Sequence, residues 1–104
     1  MRSMGKDKPR LVWSRDAEDD LLSIWRYGAE EWSANVADDH ERAIGRTCQR
    51  LVNYPHFGRS RDELIVGLRS THADPHVIFY KLSSDAIEIV RVVHQSEDVE
   101  SIFH

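Results

Sequence analysis

The chain has 104 residues, of which 40% are hydrophobic and 31% charged, and this balance predicts one ordinary globular domain and argues against disorder. Its formal net charge of -4 argues against an indiscriminate nucleic-acid binder. No apolar run reaches the length of a membrane span, and the basic start lacks the apolar core of a signal peptide. We therefore expect a cytoplasmic protein with a flexible tail over residues 1–9 and a single domain over residues 10–104.

A short strand and a helix are predicted first. Arg10–Trp13 is the strand, which we expect to join the sheet as an additional member. Ser14 is a plausible N-cap, and apolar residues at helical spacing predict a helix from about Arg15 to Trp32.

A second helix is predicted from about Ala34 to Asn53, with Ser33 as its N-cap. Pro55 ends it, since proline cannot continue the hydrogen-bond ladder. The very short connection predicts an antiparallel helical hairpin whose apolar stripes cover a sheet face. Cys48, the single cysteine, lies on the apolar side and is expected to be a small buried residue.

The second half of the chain carries β-branched and aromatic blocks separated by turn residues, which is typical of antiparallel strands. We predict a three-stranded meander from about Gly67 to His94 and a short C-terminal segment at Val99–Phe103. The predicted fold class is α+β, in the order β-α-α-β-β-β, with the helical hairpin packed on a small antiparallel sheet.

Single arginines stand inside two of these strands, Arg69 beside leucine and Arg91 between valines. Since strand side chains alternate between faces, one face could be buried while the other carries cations, the Tyr80 phenol and the His94 imidazole. The alternative is that the arginines pair with acidic residues at the rim of the sheet.

Positive charge is concentrated between Arg42 and Arg69, which contains six arginines against Asp62 and Glu63. Such a stretch suits an anionic partner, for example RNA, DNA or an acidic protein segment. An ordinary solvated helix face is the competing interpretation, and Asp38 with Arg42 would form an i,i+4 pair on it.

Three histidines are candidate metal ligands. His40 interrupts the apolar stripe of the second helix and is expected to be partly buried and hydrogen-bonded. His72 and His76 flank a predicted hairpin turn, but no third ligand accompanies them. We therefore expect no metal, and because no P-loop or dinucleotide motif is present we expect no cofactor.

Four blocks of the second half of the chain stand in a specific order and spacing, namely Pro55-x-x-Gly58-Arg59-x-Arg61-x-Glu63-Leu64, Gly67-Leu68-Arg69-Ser70, Val77-Ile78-Phe79-Tyr80 and Ile89-Val90-Arg91-Val92-x-His94. Together they resemble the RelE/ParE toxin superfamily of bacterial type II toxin-antitoxin modules, and most of all its ParE branch. The resemblance extends from about Leu11 to Phe103.

The resemblance implies a toxin that poisons DNA gyrase by binding it, with no catalytic residue of its own. Under this interpretation the residues that recognise the target or the antitoxin are Arg59, Arg61, Arg69, Tyr80, Arg91 and His94.

Two alternatives stay open. A RelE-like ribosome-dependent mRNA endoribonuclease needs cations for the phosphate and an acid and a base, for which Tyr80 and His94 are candidates. The segment after the last strand disfavours it, since Glu97 and Asp98 stand where cations would be wanted. The third hypothesis is a non-toxic module that only binds an antitoxin.

All three hypotheses imply a ParD-like antitoxin encoded next to this chain, forming a hetero-oligomer with it. Its C-terminal segment would fold on this protein, its acidic residues suiting the arginine-rich stretch and its apolar anchors a groove near the helical hairpin. Operator DNA would be bound only through the antitoxin, and no membrane partner is expected.

Overall fold

The computed structural model describes residues 8–103, so most of the tail predicted over residues 1–9 lies outside the described residues. The elements follow in the order β1 (Arg10–Trp13), α1 (Arg15–Glu31), α2 (Ala34–Asn53), β2 (Arg59–Ser60), β3 (Leu68–Ala73), β4 (His76–Leu82), β5 (Ala86–His94) and α3 (Val99–Ile102). The predicted α+β class and element order are confirmed, with β2 as an additional short strand.

Both helices begin at the predicted serine caps. The Ser14 hydroxyl accepts a hydrogen bond from the Ala17 N–H at 3.0 Å, and the Ser33 hydroxyl accepts one from the Val36 N–H at 3.2 Å. The helices approach closely at Gly28, where an added Cβ would lie 3.2 Å from the Ala37 Cα. A side chain larger than hydrogen at Gly28 would therefore push the two helices of the hairpin apart.

The sheet has five strands in the order β1-β5-β4-β3-β2. Strands β2 to β5 pair antiparallel, as predicted for the meander, whereas β1 pairs parallel with β5 in the register Arg10↔Ala86 to Trp13↔Ile89. The sheet is thus mixed at one edge instead of antiparallel throughout. The parallel direction follows from the helical hairpin, which returns the chain to the sheet before the meander begins.

Both faces of the sheet are covered, which corrects the prediction of one buried and one cation-bearing face. The first face packs against the helices through a core that includes Ile44, Leu51 and Ile89. The second face packs Leu68 and Phe79 against the loop before β3 and the C-terminal segment. The Phe79 and Phe103 rings meet edge to face, with centroids 4.8 Å apart.

An irregularity in β5 changes which side chains share a face. Tyr80 pairs with Ile89, but the preceding Phe79 pairs with Arg91, so Val90 is an extra residue in β5. Among residues 8–103, no helix has the length and apolar character needed to cross a membrane.

Candidate functional site

Tyr80, predicted to bind a partner, lies in the interior with 0% of its surface exposed. Its hydroxyl donates a hydrogen bond to the Pro55 carbonyl at 2.9 Å and accepts one from the Gly58 N–H at 2.9 Å. Strand alternation places Tyr80 on the helix-covered face, together with Ile78 and Ile89. The phenol therefore fixes the turn that follows α2 and is not available to a partner in this conformation.

Arg69 holds the same turn from the neighbouring strand. Its guanidinium donates to the His56 carbonyl at 3.1 Å and also to the Gly58 carbonyl. Arg69 pairs with Tyr80 across β3 and β4, which explains why both side chains reach one turn. The role that the structure gives Arg69 is positioning of the turn from His56 to Gly58.

Arg61 and Arg59 lie on the loop and short strand that lead into the sheet. The Arg61 side chain is only 12% exposed, stacks over the Phe79 ring at 5.3 Å and donates to Glu63 at 2.8 Å. This hydrogen bond is the main reason that the pKa of Glu63 lies below its ordinary value. Arg59 is exposed and stays a predicted contact residue.

Arg91 forms a bidentate ion pair with Asp20 of α1, with distances of 2.8 Å from Nε and 2.9 Å from Nη2. The other Asp20 contact is the Val92 N–H, which donates to the carboxylate at 2.8 Å. Hydrogen bonding to Asp20 raises the pKa of Arg91. This geometry matches the alternative considered for the strand arginines, namely pairing with an acidic residue, and leaves Arg91 little capacity for a partner.

His94 is exposed at the end of β5 and lies beside two further histidines. The His76 ring is 5.3 Å from the His40 ring and 5.8 Å from the His94 ring, both edge to face. His76 is paired with His94 across β4 and β5, whereas the His72 Nδ1 lies 3.7 Å from the Asp74 Oδ1. The histidine pair considered at the turn is therefore replaced by a cluster drawn from α2, β4 and β5.

These histidines line a groove of about 590 Å³ between the helical hairpin and one end of the sheet. We call it the histidine groove; it is lined by Ser23, Ile24, Tyr27, Trp32, Val36, His40, Pro75, His76, His94, Ser96 and Glu97. Its walls are mainly apolar, and its polar lining includes the nearly buried His76. The buried Nδ1 of His76 makes no hydrogen bond within residues 8–103. Such a groove suits a peptide segment that carries an apolar side chain and a hydrogen-bonding group.

The position of His76 makes stability depend on pH. Burial, reinforced by His40 and His94 and opposed by Glu97, lowers the pKa of His76 from 6.5 to about 4. Between these two values the unfolded chain binds a proton that the folded chain excludes, so stability is lost as the pH falls below 6.5. We expect His76 to contribute a slope of at most about 1.4 kcal/mol per pH unit in this window.

The measurement is the free energy of unfolding of the wild type and of a His76→Gln variant at several pH values from 7 to 4. The variant should show the shallower pH dependence. His72→Gln is the matched control, because its imidazole is exposed, and it should keep the wild-type slope. Equal slopes for the wild type and His76→Gln would contradict the prediction.

No group of three or more His, Cys, Asp or Glu side chains among residues 8–103 has the arrangement of a metal site. Cys48 is buried as expected, and burial raises the pKa of its thiol to about 12, which suppresses the reactive thiolate.

A second surface, at the C-terminal end of α2, was missed by sequence reasoning. The Arg50 guanidinium lies over the Phe57 ring, 5.0 Å from its centroid, and Tyr54 and Phe57 are 67% and 50% exposed. We call Arg46, Arg50, Tyr54 and Phe57 the basic-aromatic patch. The charge of this stretch was predicted from the sequence, but neither Tyr54 nor Phe57 was assigned to a binding surface.

The expected Asp38–Arg42 pair does not form, since Asp38 accepts from the Trp25 indole and Arg42 pairs with Asp39.

Comparison with protein families and individual sequences gives consistent matches. Residues 11–99 match the family model described as the ParE toxin of the type II toxin-antitoxin system parDE. The chain is 32% identical over 92 residues to Toxin ParE1 of Mycobacterium tuberculosis, which covers 88% of this chain and 94% of the relative. It is 29% identical over 84 residues to Toxin ParE3 of Caulobacter vibrioides, which covers 81% and 84% of the two chains.

Solved structures share the fold at lower identity. A chain of the chromosomal ParDE toxin-antitoxin system from P. aeruginosa superposes with a TM-score of 0.73 at 20% identity, covering 84% of this chain and 96% of that chain. A chain of the E. coli DinJ-YafQ complex superposes with a TM-score of 0.57 at 13% identity, covering 86% and 96%.

Proposed function

Because the chain belongs to the ParE toxin family of type II toxin-antitoxin systems, we propose that it arrests bacterial growth by binding DNA gyrase in the cytoplasm. We further propose that a cognate ParD-like antitoxin neutralises it and that operator DNA is bound through that antitoxin. The chain itself then acts as an inhibitor and has no catalytic residue.

The observation that carries the choice of binding over cleavage is the chemistry of the segment after β5. A site that cleaves a phosphodiester needs positive charge where the transition state gathers negative charge, and the loss of one such donor costs about 100-fold or more. This segment supplies Glu97, Asp98 and Glu100, while Phe103 packs into the sheet against Phe79. A cationic cleavage site at this end of the sheet would therefore lack its cations.

Tyr80 and Arg91 are also poorly suited to a ribonuclease site. The Tyr80 hydroxyl is buried and already donates to a backbone carbonyl, so it has no free proton for a leaving oxygen. The Arg91 guanidinium is neutralised by Asp20. Of the proposed acid and base, His94 is the exposed one, with its Nδ1 2.8 Å from the Ser96 hydroxyl.

The shape of the histidine groove supports neutralisation by a peptide-like segment of the antitoxin. The groove is concave, its walls include Ile24 and Val36, and its polar lining includes the exposed His94. An apolar side chain of the segment would fill the groove, and a polar group beside it would bond to exposed polar side chains of the lining such as His94. The titratable groups facing His76 are His40, His94 and Glu97.

The proposed function is tested by inducing the gene in bacteria with and without the reading frame beside it. We expect growth arrest, a DNA-damage response and intact messenger RNA without that reading frame, and normal growth with it. Purified protein should inhibit supercoiling by gyrase in vitro. Codon-phased cleavage of mRNA that disappears in a His94→Ala variant would instead establish the ribonuclease alternative.

A further inference from the structure

The basic-aromatic patch lies at the protein surface where α2 ends. Its two arginines are one helical turn apart, and Tyr54 is the C-cap residue one turn later, so three of its four members follow one side of the helix. Phe57 completes the patch through its stacking with Arg50. More than half of the Tyr54 surface and half of the Phe57 surface are exposed to solvent.

Hydrogen bonds fix the turn that carries Phe57. The turn that carries Phe57 is bonded through the backbone to Tyr54, with the Phe57 N–H donating to the Tyr54 carbonyl at 2.9 Å. Tyr80 and Arg69 bond to the same turn from the sheet. A surface fixed in this way loses little conformational freedom when a partner binds, which favours affinity.

The charge of the patch is not compensated locally. Within residues 8–103 neither Arg46 nor Arg50 forms an ion pair, in contrast to Arg42, which pairs with Asp39, and to Arg61, which pairs with Glu63. Arginine and tyrosine are the residue types that contribute most to protein-protein binding, particularly beside other aromatic rings. The composition of the patch therefore indicates a protein surface rich in carboxylates.

The patch and the histidine groove are separate. The groove contacts α2 at Val36 and His40, whereas the patch begins at Arg46, about 9 Å beyond His40 along the helix axis at 1.5 Å per residue. The groove is concave and has room for a few side chains, while the side chains of the patch are exposed at the surface. The patch is therefore accessible to a folded protein, whereas the groove suits a peptide segment.

We propose that the basic-aromatic patch is the surface that binds the toxin's target, through a carboxylate-rich face of that folded protein, and that it is distinct from the antitoxin-binding groove. The proposal rests on the proposed function, in which the target is DNA gyrase. A nucleic-acid partner is less consistent with the patch, because Arg50 occupies one face of the Phe57 ring and the whole chain carries a net charge of -4.

The test compares the double variant Arg46→Glu/Arg50→Glu with the control Arg15→Glu/Arg26→Glu, which changes the net charge equally at exposed positions of α1. Binding of each purified protein to purified gyrase is measured at two salt concentrations. We expect the patch variant to bind at least about tenfold more weakly and with less salt dependence, and the control to stay within about twofold of the wild type. Phe57→Ala should also weaken binding. All variants should co-elute with the antitoxin encoded nearby and keep the wild-type circular dichroism spectrum.

Three outcomes would overturn the proposal. The first is wild-type gyrase binding by the patch variant, and the second is loss of antitoxin co-elution by that variant with toxicity retained. The third is binding of the wild type, but not of the patch variant, to a single-stranded oligonucleotide without gyrase, which would identify nucleic acid as the partner.

Failure of the proposed function is distinguishable from failure of the patch. If the wild type arrests growth with messenger RNA intact but does not bind gyrase, the target is a different protein, and growth arrest becomes the measurement. Loss of arrest in Arg46→Glu/Arg50→Glu, with arrest retained in the control, would still support the patch as the target-binding surface. Full arrest by the patch variant would overturn it.

Discussion

Replacing Asp20 with alanine should lower the free energy of unfolding by about 3 kcal/mol, since a largely buried charge loses its partner. The carboxylate accepts three hydrogen bonds, two from Arg91 and one from the Val92 N–H. Its side chain is only 14% exposed, and that of Arg91 is 26% exposed, so water can replace the lost contacts only in part. The contact also ties α1 to the strand with the extra residue, so its loss should loosen the packing of helix on sheet.

Chemical denaturation of the wild type and the variant measures this difference. Asp19→Ala is the matched control, because Asp19 precedes Asp20 in the same helix and is exposed. Among residues 8–103, Asp19 forms no ion pair comparable to that of Asp20. The control should change stability by no more than about 0.5 kcal/mol. Similar losses for both variants would mean that the ion pair contributes no net stability.

Replacing Gly58 with alanine should cost about 3 kcal/mol, for a steric reason and not a conformational one. A Cβ at this position would lie 2.5 Å from the Ser70 carbonyl oxygen and 2.5 Å from the Tyr80 hydroxyl oxygen. The first obstacle is backbone and the second is a fully buried ring, so neither can move aside easily. Relief of the clash would also break the hydrogen bond from the Gly58 N–H to Tyr80.

The matched control is Gly45→Ala in the middle of α2, where an added Cβ meets nothing within 4 Å. This variant should be more stable than the wild type by about 0.5–1 kcal/mol, because alanine favours the helix. Thermal or chemical unfolding of the two variants should therefore shift in opposite directions. A Gly58→Ala protein as stable as the wild type would show that the turn can move away from Tyr80.

The helices were predictable because local signals define both of their ends. Ser14 and Ser33 cap the two helices, apolar residues follow at helical spacing in each, and Pro55 ends the second helix. The observed bounds therefore differ from the predicted ones by at most one residue. The strands of the meander were predicted for a similar reason, since each is bounded by turn residues.

The positions of the candidate site residues could not be predicted in the same way. Simple alternation counts along β5 fail at Val90, and they give no information on Asp20, which lies far away in the sequence and pairs with Arg91. The burial of Tyr80 depends on the turn after α2 folding back over β3 and β4, a long-range contact without a local signature. The two-residue β2 strand is too short to show a periodic pattern.

The order of synthesis delays completion of the sheet, because its first strand pairs with its last. The Ser14 hydroxyl at the end of β1 donates to the Val90 carbonyl, 76 residues later in the chain. At roughly 5–20 residues per second, the two are made roughly 4–15 s apart. During that interval α1 and α2 have no β5 to cover their apolar stripes, so the nascent chain should depend on chaperones or on early capture by a partner. Translation that stops before β5 should therefore yield a substrate for proteolysis and not a shorter toxin.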